Sequence, residues 1–195
     1  MSRRGTLFVI SGPSGVGKGT VVRRVLERHP EIRLSVSVTT RRPRPSERDG
    51  VDYLFVTDAR FDELVASGAL LEWAYVVGHR SGTPAAPVER DLAAGHDVIL
   101  EIDVQGARQV RERVAEALLV FLAPPSMEEL ERRLRSRGTE SEDRLRLRLV
   151  TAEREMREIG WFDHVVVNDR VDRAAAEVEA IIQASRTPTE GPTHP

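Results

Sequence analysis

Lys18 ends a glycine-rich run, Gly12-Pro13-Ser14-Gly15-Val16-Gly17-Lys18, that fits the spacing G-x-x-x-x-G-K. Glycines let main-chain N–H groups close on a ligand, and a lysine at that place can reach the phosphates of a nucleotide. Asp103 follows the apolar run Val98–Ile102. In phosphate-loop proteins a carboxylate at such a strand end approaches Mg²⁺, directly or through water. Arg41, Arg42, Arg44 and Arg48 crowd a loop stiffened by Pro43 and Pro45, and clustered guanidinium groups suit a phosphate that accepts bidentate hydrogen bonds. Glu72 sits between the apolar Leu71 and Trp73, where a carboxylate without a partner would be costly. A ligand that donates hydrogen bonds is the expected partner.

Two details narrow the chemistry. Position 19 is glycine, so the hydroxyl that phosphate loops commonly offer to Mg²⁺ is missing, and Thr20 comes one place late. Asp103-Val104-Gln105-Gly106 spells D-x-x-G, which invites a GTPase reading. Gly19 weighs against it, and so does the lack of an N-K-x-D base-reading motif: Asn168-Asp169 has no lysine at the required spacing. His79, His96 and His164 show no metal-ligand spacing.

These groups need a scaffold. Leu7–Ile10, Val98–Ile102, Leu118–Leu122 and Val165–Val167 are short apolar runs long enough for buried parallel strands. Segments of helical spacing separate them. Strands alternating with helices predict an α/β fold: a parallel sheet covered on both sides, with ligands at the strand carboxyl ends. Residues 34–83 break the pattern. Leu34, Val36 and Val38 alternate with polar residues as one half-buried strand; Val51–Val56 and Leu70–Val77 read as two more, with a helix from Asp58 to Ser67 between them. Gly78 to Pro87 reads as a loop. This region is expected to be a small insertion between core strands. Ser126 and Glu129 have capping-box spacing, and Ser141 opens a charged helix.

The 195 residues suit one domain with insertions. A net charge of −2, from 29 basic and 31 acidic residues, gives no general attraction to nucleic acid or anionic membrane. With no cysteine, disulfides and thiolate metal sites are excluded. The sequence has no long apolar stretch and no signal-peptide core, so a cytoplasmic enzyme is expected.

Read together, SVSVTTRRPRP, GVDYLFV, LLEWA, SGT, ILEIDVQGA, FLAPPS, RLRSRGTES and VVVND follow one another in the order, and near the spacing, of guanylate kinases, over about residues 5–185. The resemblance implies a three-layer P-loop NTPase fold. It divides the chain into a core (5–33, 84–136 and 149–185), a GMP-binding region (34–83), a mobile lid (137–148) and a disordered tail (186–195). It implies transfer of the γ-phosphoryl group of ATP to GMP, with Mg²⁺ as cofactor and with no nucleic-acid or membrane partner; the oligomeric state stays open between monomer and homodimer.

Carried over by position, Gly12, Pro13, Ser14, Gly15, Val16, Gly17, Lys18, Gly19 and Thr20 match the ATP-phosphate loop, and Asn168 and Asp169 fall where the adenine lies. Ser37, Glu72 and Glu101 match the guanine readers, with Asp103 also on the GMP side and near the metal. Arg41, Arg44 and Tyr53 match the GMP-phosphate contacts, and Thr83 another GMP contact. Position 81, where the family usually has a second tyrosine, is serine; Arg80 or Ser81 is expected to take that role. Lys18, Arg41, Arg137 and Arg148 match the charges around the transferring phosphoryl. A sugar-phosphate kinase would have no use for Glu72 and Ser37. A silent scaffold domain would typically have lost Lys18, Arg137 and Arg148.

Overall fold

The computed structural model describes residues 3–76, 78–136 and 141–186. In chain order the strands are β1 (Leu7–Ser11), β2 (Arg33–Leu34), β3 (Val38–Thr39), β4 (Leu54–Phe55), β5 (Leu70–Val76), β6 (His79–Pro84), β7 (Val98–Glu101), β8 (Leu118–Ala123) and β9 (His164–Val167). The helices are α1 (Lys18–Arg28), α2 (Asp58–Ala66), α3 (Ala85–Ala93), α4 (Val104–Arg113), α5 (Met127–Ser136), α6 (Glu142–Arg157) and α7 (Val171–Arg186).

Among the described residues the core sheet has the order β2-β7-β1-β8-β9 with every pair parallel. Its three central strands, β7, β1 and β8, are apolar on both faces, as burial between two helical layers requires. Leu7, Val9, Leu100, Leu119 and Phe121 pack with Val88 and Leu92 of α3 and Val104, Ala107 and Val110 of α4. Phe8, Ile10, Ile99, Val120 and Leu122 face the other way, onto Val21, Val22 and Val25 of α1 and Ala174, Ala175, Val178 and Ile182 of α7. The alternation that sorts these residues is the strand's own two-residue period. α5 and α6 add a small cluster through Leu130, Leu134, Leu145 and Ala152.

The second sheet has the order β4-β3-β6-β5 and is mixed. It packs one face on α2, through Val38, Phe61 and Leu70 with Trp73 alongside. A bulge interrupts its outer strand: Leu70 pairs with Pro84 and Glu72 with Thr83, so Leu71 is the extra residue.

Several expectations need correction. The single strand expected over 34–38 is two short ones in different sheets: β2 joins β7, β3 joins β4 and β6, and residues 35–37 cross between them. The loop expected from Gly78 is largely strand. β6 carries the polar sequence His-Arg-Ser-Gly-Thr-Pro, which shows no apolar period, and its extended form comes from pairing with β3 and β5. Thr57 rather than Asp58 caps α2, accepting from the Arg60 N–H at 3.2 Å. Arg186 closes α7 and pairs with Asp97 at 2.7 Å; the rest of the expected tail, the end of the strand at Val77, and lid residues 137–140 lie outside the described residues. Ser126 and Ser141 do accept at their helix starts, from the Glu129 and Arg144 N–H groups at 3.2 and 3.4 Å.

Candidate active site

Between β1 and α1 the chain turns through Gly12, Gly15 and Gly17 with φ of 139, 92 and 98°, values that side-chain-bearing residues rarely adopt. At Gly12 the fit is also steric, because a Cβ there would lie 2.2 Å from the Leu122 carbonyl oxygen. Lys18, the first residue of α1, folds back over this loop, its Nζ donating to the Gly12 carbonyl at 2.6 Å and reaching that of Pro13 at 3.3 Å. Burial pulls the Lys18 pKa down, and the charges of Glu101, Glu155 and Asp103 work against that shift.

The loop is braced from two sides. The buried Asn168 donates its side-chain amide to the Val16 carbonyl at 2.8 Å, and Arg133 reaches the carbonyls of Val16 and Asn168 at 3.3 and 3.0 Å. Asn168 is thus a brace beneath the loop. Asp169, beside it, is exposed and pairs with Arg173 at 2.9 Å. From α6, Arg148 donates to the Ser14 hydroxyl at 2.6 Å. Arg137, the other expected lid arginine, lies outside the described residues.

The second group of residues gathers at the seam between the two sheets. Glu72 on β5 is only 3 % exposed and accepts from the Thr83 hydroxyl at 2.7 Å. Burial pushes its pKa up to about 7; the Asp103 charge adds to that, while the Thr83 hydrogen bond opposes it. Asp103 caps α4, accepting from the Gly106 N–H at 2.8 Å, and burial raises its pKa too. The two carboxylates meet over Gly106, where a Cβ would lie 2.4 Å from Glu72 Oε2 and 3.3 Å from Asp103 Oδ1. Only glycine leaves room for this arrangement.

Four further expected members lie outside this pair of acids. Glu101 is on the phosphate-loop side, its carboxylate 3.2 Å from where a Cβ on Gly19 would be, with Lys18 and Arg23 offsetting its charge. The side chain that Gly19 lacks would therefore have pointed at this acid. Arg80 is turned away. On β6 it has the opposite parity to Ser81 and Thr83, so it faces α2, pairing with Asp58 at 2.7 Å and with Asp62, and lying 4.8 Å over the Phe61 ring. Ser81 does share the Thr83 face, but its hydroxyl donates to the Val38 carbonyl at 3.2 Å. Ser37 lies in the crossing segment, and its carbonyl accepts from Leu54.

The third group is cationic. Arg41 lies 5.2 and 5.7 Å from the ring centroids of Tyr53 and Phe55 and makes a bidentate pair with Glu47, 2.9 Å for each bond. Glu47 also accepts from the Arg44 N–H at 2.8 Å, while the Arg44 side chain is mostly in solvent. Burial raises the Tyr53 pKa, and the Glu101 charge adds to it. Glu47, Arg133 and Glu155 were not anticipated from the sequence. Each is one acid or base among many on a charged helix or loop, and no spacing separates it from its solvated neighbours.

A phosphate cradle, a buried pair of acids and an aromatic-backed arginine therefore lie within reach of one another's charges: Asp103 acts on both Lys18 and Glu72, and Glu101 on both Lys18 and Tyr53. This arrangement can hold two phosphorylated ligands, one of which presents hydrogen-bond donors to carboxylates. The family model described as guanylate kinase matches residues 4–185. Guanylate kinases from Parasynechococcus marenigrum and Thermobifida fusca are 56% and 57% identical to the chain over 178 and 181 residues, which cover 91% and 93% of it and 98% and 92% of them. The crystal structure of guanylate kinase from Anaplasma phagocytophilum superposes with a TM-score of 0.80 at 33% identity, covering 97% of this chain and 90% of that one. On these grounds, with the loop and seam geometry in agreement, the chain belongs to the guanylate kinase family.

Proposed function

We propose that the chain transfers the γ-phosphoryl group of ATP to GMP, giving ADP and GDP, and that it also accepts dGMP. The supporting observation is the buried Glu72 carboxylate at the seam, facing Asp103 over Gly106. Guanine presents N1–H and N2–H₂ donors side by side. An ionised Glu72 accepts both, and Asp103 and Thr83 stand beside it. Adenine offers no such donor pair, and a sugar phosphate has no base to read. Ser37 is suited to the O6 acceptor through its hydroxyl.

At the other end of GMP, Arg41, Arg44, Tyr53 and Ser81 hold the phosphate. Arg41 is pre-oriented by its aromatic backing, and its Glu47 partner can be exchanged for a phosphate oxygen pair. ATP lies along the loop from Gly12 to Thr20, its phosphates met by loop N–H groups and by the N-terminal end of α1, with its adenine near Asn168 and Asp169. The acceptor oxygen needs no general base, because a nucleotide phosphate with a second pKa near ~6 is largely dianionic at pH 7. The obstacle is the mutual repulsion of two polyanions. Catalysis therefore consists of alignment and charge neutralisation by Lys18, Arg41, Arg137 and Arg148.

A divalent cation fits this donor set. Glu101 puts hard carboxylate oxygens beside Gly19, and the Asp103 charge acts on Lys18 at the start of α1. Asp103 would hold Mg²⁺ through water, and a bound ion would supply positive charge against the phosphates. On this reading residues 5–33, 84–136 and 149–186 are the core, 34–83 the GMP-binding region and 137–148 a lid. A cytoplasmic location belongs to the same reading.

A coupled assay of ADP release with GMP, dGMP, AMP and a sugar phosphate tests it. Turnover confined to GMP and dGMP is expected. Preference for AMP or for the sugar phosphate would refute the assignment.

A further inference from the structure

β5 is one of the two edge strands of the small sheet, so among the described residues its outward N–H and C=O groups have no strand to pair with. α4 supplies the partners instead. Gln109 takes both main-chain groups of Trp73: its Oε1 accepts from the Trp73 N–H at 3.2 Å, and its Nε2 donates to the Trp73 carbonyl at 2.7 Å. One side-chain amide thus does what a residue of a neighbouring strand would do. One turn on, Arg113 donates to the carbonyls of Leu70 and Leu71 at 2.6 and 3.0 Å. Those two residues form the bulge that precedes Glu72, and a bulge changes the direction in which the next side chain points. Gly106, Gln109 and Arg113 lie three and four residues apart, on one stripe of α4. The first touches the Glu72 carboxylate, the second clamps the residue after Glu72, and the third clamps the two before it.

We infer that Gln109 and Arg113 are positioning residues for purine recognition: they fix the bulged strand on α4 so that the Glu72 carboxylate is held over Gly106. Neither touches a substrate. The Arg113 charge also favours the ionised form of Glu72, the form that accepts from guanine. The clasp makes the β5 side of the small sheet continuous with the core. The inference rests on Glu72 being the guanine reader, so its test includes that premise.

The experiment is a double-mutant cycle between Gln109→Met, which keeps the stem and loses the amide, and Glu72→Gln. KM for GMP, KM for ATP, kcat and the preference for GMP over IMP, which lacks the N2 amine, are read for each variant. Gln109→Met should raise KM for GMP by roughly tenfold or more, the scale of a displaced recognition group. It should lower the GMP/IMP preference, leave KM for ATP within about twofold, and add nothing further in the Glu72→Gln background. Arg113→Lys, which keeps charge but reaches the bulge with a single ammonium, should shift KM for GMP in the same direction by less. If Gln109→Met shifts both KM values equally, or keeps its full effect without Glu72, the inference fails. If Glu72→Gln impairs GMP while Gln109→Met behaves as wild type, the inference fails alone. If Glu72→Gln leaves KM for GMP unchanged, the guanine-reading premise fails, and the inference with it.

Discussion

At the residue scale the decisive group is Glu72. Its pKa of about 7 lies well above the value of a carboxylate in an unfolded chain. The folded protein therefore binds this proton more tightly than the unfolded one, so stability from this group is greatest at low pH and is lost as pH rises through about 7. Above that point the buried charge costs on the order of 3 kcal/mol. Glu72→Gln, whose amide can keep the Thr83 contact, should therefore raise Tm at pH 8, with the gain disappearing near pH 5, while KM for GMP rises sharply. Thermal melts at both values check this. GMP binding needs the ionised carboxylate, so kcat/KM for GMP in the wild type should fall as pH drops from 7.5 to 6.5, and this component should be missing in Glu72→Gln. Lys18→Ala and Arg148→Ala should lose at least roughly 10²-fold in kcat while keeping a wild-type melting profile, as charges on the transferring phosphoryl should. Arg80→Ala, by contrast, should leave KM for GMP nearly unchanged, since Arg80 serves α2.

At the element scale, what could be read from the sequence depended on whether an element carries its own pattern. The four apolar core strands and the phosphate loop are written in local residue types, because burial between two layers demands unbroken apolar runs. β6 was missed because its polar strand is held by neighbours, and β2 and β3 were fused because alternation continues across the crossing at 35–37. Without β6, the strand parity that turns Arg80 toward α2 cannot be read either, and nothing in one-dimensional spacing separates Glu101 from Glu72 and Asp103. The buried Glu72 was legible from its apolar neighbours; Gly106, on which it rests, was not, since a glycine three residues into a helix looks like a tolerated flaw. Gly106→Ala should raise KM for GMP, because the added methyl would displace the Glu72 carboxylate. Far-UV circular dichroism should be unchanged and the kinetic defect confined to GMP.

At the scale of the whole molecule, the two sheets meet along α4 and β5. The far end is tied by Asp97, buried at the start of β7. It accepts from Arg3 and the Thr6 N–H at 2.7 and 2.8 Å and from Arg186 at 2.7 Å, linking both ends of the described chain to the core sheet. Asp97→Ala should destabilise by about 2 kcal/mol, the scale of hydrogen bonds to a charged group whose partners return to solvent, in chemical denaturation, with both KM values unchanged. The central claim concerns the site: one purine read by Glu72, its phosphate held by Arg41, and a triphosphate on the loop at Lys18. A crystal structure with GMP and ADP tests it most directly. The account predicts guanine N1 and N2 on the Glu72 carboxylate and the GMP phosphate on Arg41 in place of Glu47. Guanine bound elsewhere, with Glu72 still facing only Thr83 and Gly106, would contradict it.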